Sequence, residues 1–287
     1  MINVQRDQPI VVTTSWIADH LDDPDVRLVE SNQDSLLYAT GHIPGAVSID
    51  WLTDVHHPIR RDYIDRETFA KLLSTRGIQS DTTIVLYGDQ YNWWAVYTFW
   101  VLHWFGHRRV CIMDGGRMAW QAEARPLTRS IPDYAATTYP VPAATNQTVR
   151  ALRHDVLQQV MQPSNVLVDV RSEAEYRGEQ AASSFGVTTQ RQGHIPGAIH
   201  VPWSLLVQEN HTFKPAHELA AVFASQGLTD KQPIITYCLV GVLSSYAWFL
   251  LTYRLNLPNV RCYDGGWAEW GNLVGVPIAT GSVEKTR

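Results

Sequence analysis

The chain has 287 residues, 45% apolar and 18% charged, and its 23 Lys+Arg against 28 Asp+Glu leave a net charge of −5. That length allows about two domains, and high apolar content with low net charge excludes a disordered chain. No basic arm or stripe marks a nucleic-acid partner. Three cysteines without CxxC spacing make neither a disulfide framework nor a zinc site.

Taken in order, the opening MINVQRDQPIVV has no charged region leading into an apolar run, so no secretory leader is expected. The apolar runs Val26–Val29, Thr83–Tyr87 and Arg109–Met113 read as buried strands, as do Val166–Val170, Pro233–Tyr237 and Val260–Tyr263. Helix-start signals fall at Asp65 and Pro215, and a third helix is expected from Ser244 to Tyr253. The longest apolar stretch, Tyr246 to Leu251, is far short of the roughly 20 residues that span a bilayer. A soluble cytoplasmic protein with no membrane partner is the expectation. Strands alternating with helices predict α/β units on a mostly parallel sheet.

The chain is written twice. GHIPGAVSIDW from Gly41 recurs as GHIPGAIHVPW from Gly193, 152 residues on. The DGG segment ending at Trp120 recurs as that ending at Trp270, and IVLYGD around Tyr87 recurs as IITYCL around Tyr237, each at 150. Collinear matches of this kind indicate a duplicated domain. Residues 10–124 are read as the first copy, the proline-containing stretch 125–147 as a linker, and 148–280 as the second copy. From strand-end acid to HIPG histidine the second copy (Asp169 to His194) is longer than the first (Glu30 to His42). An insertion of about 13 residues is therefore placed around Gly178–Arg191.

The copies also diverge after the central strand. The first reads Tyr87-Gly-Asp-Gln-Tyr-Asn-Trp and the second Tyr237-Cys-Leu-Val-Gly-Val-Leu-Ser-Ser. Cys238 thus sits between a strand and a helix start, where free backbone N–H groups favour an anion and hence the thiolate. The carboxyl end of a strand in an open α/β sheet is where sites form, and the thiol is expected at the mouth of the C-terminal half. Gly241 would let the loop curl. The alternative is that Cys238 is one more buried small residue. Cys111 and Cys262, inside strand-like runs, read as structural. So do His42 and His194, which recur in both copies, while Asp114 and Asp264 are expected to cap the Gly-Gly turns. Trp93, Trp94, Trp100 and Trp248 read as core.

The paired HIPGA segments, the DGG–Trp segments closing each half and the single cysteine loop resemble the tandem rhodanese family of thiosulfate and 3-mercaptopyruvate sulfurtransferases. The resemblance implies two rhodanese-like α/β domains, each a mostly parallel five-stranded sheet flanked by helices, the first inactive and the second catalytic. It implies that Cys238 takes a sulfur atom as a persulfide and hands it to cyanide or a thiol, small or carried by a thioredoxin-like protein. The backbone amides of Leu239, Val240, Gly241, Val242, Leu243 and Ser244 would cradle the outer sulfur, with no cofactor and no metal.

Thiosulfate-type members place basic residues in this loop, whereas here it is uncharged. Mercaptopyruvate-type members hold the substrate carboxylate with two arginines, and Glu175 occupies the first of those positions. Thiosulfate is the expected donor. Mercaptopyruvate is the alternative, and a non-catalytic persulfide carrier or binding module suits the apolar loop. A related phosphatase is disfavoured, because this loop has no arginine to hold phosphate. Arg171, Arg177 and Arg191 are candidate anion ligands, with an ion pair to Asp169 or Glu173 as the other reading for Arg171. Asp50, His56, His57, Arg60 and Arg61 follow the first HIPG segment in a loop that could line the site.

Overall fold

Apolar runs too short for helices and rich in β-branched residues form the strands, as their composition dictates. A computed structural model describes residues 9–184, 186–228 and 232–281. The opening segment on which the leader expectation rests lies mostly outside the described residues. The chain divides into two units. One takes in the described residues up to Asn146 together with Gln208–Phe213, and the other Gln147–Val207 and the described residues from Lys214 onward.

The first unit runs β1 (Val11–Val12), α1 (Thr14–Asp19), β2 (Val26–Glu30), α2 (Leu37–Thr40), β3 (Val47–Ser48) and α3 (Arg66–Ser74). It continues through β4 (Thr83–Tyr87), α4 (Trp93–Trp104), β5 (Val110–Met113) and α5 (Gly116–Ala122). Its five strands pair in parallel in the order β1-β5-β4-β2-β3. Every residue of β2, β4 and β5 is buried, which is why β4 and β5 read as near-continuous apolar runs rather than alternating ones, whereas β2 buries Arg27 and Glu30 among its apolar residues. Asp65 starts α3 by accepting the Thr68 N–H at 2.7 Å. In α4, Trp94 and Trp100 are buried, as their helical spacing in an apolar run predicts.

The second unit runs α6 (Arg153–Met161), β6 (Val166–Asp169), α7 (Glu173–Arg177), β7 (Ser183–Ser184), β8 (Val187–Thr188) and β9 (Ile199–His200). Then come α8 (Ala216–Ser225), β10 (Ile234–Tyr237), α9 (Val242–Phe249), β11 (Val260–Tyr263) and α10 (Gly266–Trp270). Its parallel sheet has four strands, β11-β10-β6-β9, one fewer than expected. Where β1 lies in the first unit, this one has a single parallel bridge between Arg150 and Cys262. The physical reason is local: at Leu152 the backbone N–H is taken by the Asp155 carboxylate at 2.8 Å, so α6 begins before a strand can extend.

The insertion near Gly178–Arg191 folds in part as the small antiparallel pair β7–β8. The stretch 125–147 is more than a connection, because it is fastened along the first unit. His42 and Thr128 exchange backbone hydrogen bonds of 2.8 Å, the Tyr134 hydroxyl donates to Gly45 O at 2.9 Å, and His107 Nδ1 lies 2.9 Å from the Tyr139 hydroxyl. No helix among the described residues is long and apolar enough to cross a membrane.

Candidate active site

Cys238 follows β10 directly, at the carboxyl end of the strand. Gly241, at φ +100°, turns the loop into α9. That left-handed conformation costs glycine nothing, and the Gly241 N–H donates to Cys238 Sγ at 3.2 Å. From the first turn of α9 the Ser244 hydroxyl donates to the same sulfur at 3.4 Å. Two donors thus converge on one sulfur.

The sulfur is not at an open mouth. Cys238 is 1% exposed, and Leu239, Val240, Gly241 and Val242 around it are buried, with Leu243 half-buried. The loop is drawn inward by its own carbonyls: Trp267 N–H donates to Cys238 O at 2.7 Å and Ala268 N–H to Leu239 O at 3.0 Å. That approach explains the last glycine of the DGG segment. A Cβ at Gly266 (φ +55°) would stand 2.5 Å from Cys238 O and 2.6 Å from Leu239 O, distances at which the loop must shift. Sequence reasoning treated the repeated DGG as a turn signal and missed that it seats the cysteine loop. The recurrence of Gly266 at a fixed distance from Cys238 was the available clue.

The same frame exists in the first unit with different contents. There Arg117 N–H donates to Gly88 O at 2.8 Å, and a Cβ on Gly116 (φ +52°) would meet that oxygen at 2.5 Å. Gly88, the counterpart of Cys238, has no room for a side chain, since its Cβ would lie 2.1 Å from Ser31 O. The loop is occupied by Asn92, which accepts the Gly88 N–H at 2.9 Å and donates to Met113 O at 2.8 Å.

Both units bury a charge pair beside the loop-bearing strand. In the second, Arg171 lies 2.5 Å from Asp169, donates to Gly193 O at 2.8 Å and stacks over the Trp267 ring at 4.5 Å. In the first, the cation comes from another element, with Arg117 at 2.8 Å from Glu30, and Asn32 takes the place of Arg171. Tyr87 and Tyr237 are common to both, their hydroxyls accepting the Ile43 and Ile195 N–H at 3.0 and 3.1 Å.

The candidate anion ligands are engaged elsewhere. Arg171 is the buried partner of Asp169. Arg177 pairs with Glu173 at 2.5 Å, one helical turn away. Arg191 donates to Trp270 O, Gly271 O, Leu273 O and Val276 O at and beyond the end of α10, satisfying carbonyls a helix terminus leaves open. Asp50 accepts the Leu52 and Thr53 N–H groups in a local turn. Glu175 accepts from the Ser172 hydroxyl at 2.7 Å in a capping box. The loop after the first HIPG is also spoken for: His56 Nε2 lies 2.7 Å from the Tyr97 hydroxyl, and His57 Nδ1 accepts the Ile59 and Arg60 N–H groups.

The recurring histidines hold turns. His42 stacks on Tyr38 and bonds its carbonyl at 3.0 Å, as His194 does with Tyr176 at 2.8 Å. The DGG aspartates have partners beyond their own turns, Asp264 in a two-point ion pair with Arg150 and Asp114 with the Phe213 N–H at 2.8 Å. Cys111 packs in the first core. Cys262 is less isolated than its strand position suggests, since its sulfur lies 3.2 Å from Ser244 Oγ.

Two α/β units with parallel sheets, one with a buried thiol after its central strand and the other with a glycine at the counterpart position, define a tandem protein with a single-cysteine loop. The chain belongs to the family described as Rhodanese-like domain, whose model matches residues 13–123 and 152–273. It is 48% identical over 277 residues to the sulfur carrier protein TtuD of Thermus thermophilus, covering 95% of this chain and 97% of that protein. It is 44% identical over 278 residues to a thiosulfate sulfurtransferase of Corynebacterium glutamicum, covering 96% and 92%. The crystal structure of SseA from Escherichia coli, described as a 3-mercaptopyruvate sulfotransferase, superposes with a TM-score of 0.77 at 30% identity, over 91% of this chain and 99% of that one.

Proposed function

We propose that this protein is a sulfurtransferase that carries a sulfane sulfur on Cys238, with thiosulfate as donor and cyanide or a thiol as acceptor. The Cys238 thiolate attacks the outer sulfur of thiosulfate, the S–S bond of the donor breaks, and sulfite leaves with the electron pair. The Cys238 persulfide then gives its outer sulfur to the acceptor, regenerating the thiolate and forming thiocyanate from cyanide or a new persulfide from a thiol. This is ping-pong covalent catalysis. A thioredoxin-like protein is a suitable thiol acceptor, and three free cysteines suit a reducing, cytoplasmic setting.

The observation that carries the reading is the pair of donors on Cys238 Sγ, from Gly241 N–H and Ser244 Oγ, set against a glycine at the same place in the first unit. Mercaptopyruvate is the weaker donor, because Glu175 stands where a carboxylate-binding arginine is expected and is committed to Ser172. A second reading, slow turnover with a long-lived persulfide passed to another protein, is favoured by the uncharged, buried loop and by the relative named a sulfur carrier. Intact mass spectrometry after incubation with thiosulfate or with mercaptopyruvate, followed by addition of cyanide, tests both. A gain of one sulfur atom, faster with thiosulfate and lost rapidly on adding cyanide, is expected of the enzyme, whereas a carrier keeps its extra sulfur. No gain with either donor contradicts both readings.

A further inference from the structure

Beneath Cys238 lies a chain of polar atoms that backbone cradling does not use. Ser244 Oγ is 3.4 Å from Cys238 Sγ, 3.2 Å from Cys262 Sγ and 3.0 Å from Gly241 O. All three side chains are at most 1% exposed. A hydroxyl has one proton to give and two lone pairs to receive with. Ser244 therefore serves one acceptor at a time, and a donor on its other side decides how well it serves.

Cys262 can be that donor. Burial pushes its thiol well above the ordinary range, so its proton stays on the sulfur. Its backbone is fixed in β11, with Cys262 N–H on Val149 O at 2.8 Å and Ala151 N–H on Cys262 O at 2.9 Å. It is poorly placed to form a disulfide with Cys238. Cys262 pairs across the ladder with Thr236, two residues before Cys238. An offset of about 6.6 Å along the strand and about 4.8 Å between strands puts the two Cα atoms beyond the roughly 7 Å a disulfide tolerates. The Thr236 hydroxyl in turn donates to Ser244 O at 2.9 Å, fixing the first turn of α9 over the pair.

We propose that Cys262 is a positioning residue and Ser244 a catalytic one: the Cys262 S–H donates to Ser244 Oγ, which turns the Ser244 O–H onto the Cys238 sulfur when that sulfur is charged. Resting on Cys238 as the sulfur-bearing nucleophile, this relay adds a side-chain donor to the amide at Gly241 and supplies, within an uncharged loop, stabilisation that a basic residue does not provide here. The groups whose charge acts on Cys262 are Asp264, itself held by Arg150 at 2.9 Å, and Cys238. At the end of β6, the strand beside β10, Asp169 is paired with Arg171 at 2.5 Å.

The test is the pH profile of Cys238 alkylation, read by mass on the peptide that contains it, in Ser244→Ala, Cys262→Ala and Cys262→Ser. A hydrogen bond to a charged group is strong enough that losing it in Ser244→Ala should raise the midpoint by about one pH unit. Cys262→Ala should raise it by about half as much, and Cys262→Ser, which keeps a donor, should return it to the wild-type value. An unmoved midpoint in Cys262→Ala overturns the relay, as does a Cys262→Ser profile matching that of Cys262→Ala. Should Ser244→Ala fail to fold, the two Cys262 variants decide alone. The profile needs no sulfur donor, so it stands even where the wild-type protein gains no sulfur, the outcome that would remove the functional reading instead.

Discussion

Position 88 and position 238 directly follow equivalent strands, receive equivalent hydrogen bonds from a DGG helix and sit beside equivalent tyrosines, yet only one bears a side chain. At Gly88 a Cβ would collide with Ser31 O at 2.1 Å, and Asn92 fills the loop with its amide. At Cys238 the loop holds a sulfur, with Gly241 and Ser244 as its donors. The two loops also reach their turns differently. The first passes through three consecutive non-glycine residues at positive φ, Gln90, Tyr91 and Asn92, and the second through the single glycine Gly241. The comparison teaches that the shared frame is structural, and that the chemistry lies in the few atoms that differ.

Replacing the thiol should show the largest effect. Cys238→Ser is expected to lower sulfur transfer by roughly 10³-fold or more, the scale seen when a covalent nucleophile is removed, while Gly88→Cys in the first unit gains no persulfide and loses stability. Transfer assays and intact mass on both variants check this, and a persulfide on Gly88→Cys would break the contrast. The charge pairs come next. Arg171→Met leaves Asp169 buried without its cation, and Arg117→Met does the same to Glu30. Each is expected to cost about 3–5 kcal/mol in denaturant unfolding. A negligible cost for either would show that the pairs are not equivalent.

The DGG glycines separate stability from activity. Gly266→Ala forces a left-handed residue against two backbone oxygens and Gly116→Ala against Gly88 O and the Asn92 side chain, each at about 1–3 kcal/mol. Only Gly266→Ala should also lower transfer per folded molecule, because only it moves the loop of Cys238. Equal activity in the two variants would sever the link between α10 and the site.

A further effect is one of pH and belongs to the first unit. Burial lowers the pKa of His107 from 6.5 to about 4, with its ring held neutral between Thr82 O and the Tyr139 hydroxyl. The unfolded chain takes up a proton that the folded one refuses, so stability is full above pH 6.5 and falls as pH drops toward about 4, by at most about 1.4 kcal/mol per pH unit. Thermal melts of His107→Gln should show a flatter acid limb; an unchanged limb contradicts the assignment.

Much of this was legible in the residues. Strands β4 and β11 have the bounds their apolar runs predict, and α3 begins at Asp65 through the cap its side chain makes. The duplication and the divergence at Cys238 needed only the chain compared with itself. Long-range partners escaped. Arginine reads as a free cation in a sequence, and nothing local reveals that Arg191 is spent on carbonyls some 80 residues away, or that Asp264 is paired with Arg150, |i−j| = 114. Two-residue strands such as β1 and β9 carry too little pattern to be seen. The Ser244 contacts arise from a helix that starts at Val242, two residues before its apolar run suggests, which turns the hydroxyl toward both sulfurs.

The central claim concerns which sulfur atom is loaded. Peptide mapping by mass spectrometry after exposure to thiosulfate, and separately to mercaptopyruvate, locates it directly. The extra sulfur is predicted on the peptide carrying Cys238 and on neither of those carrying Cys111 or Cys262; its appearance on either of these, or its absence from Cys238 with both donors, would contradict the account.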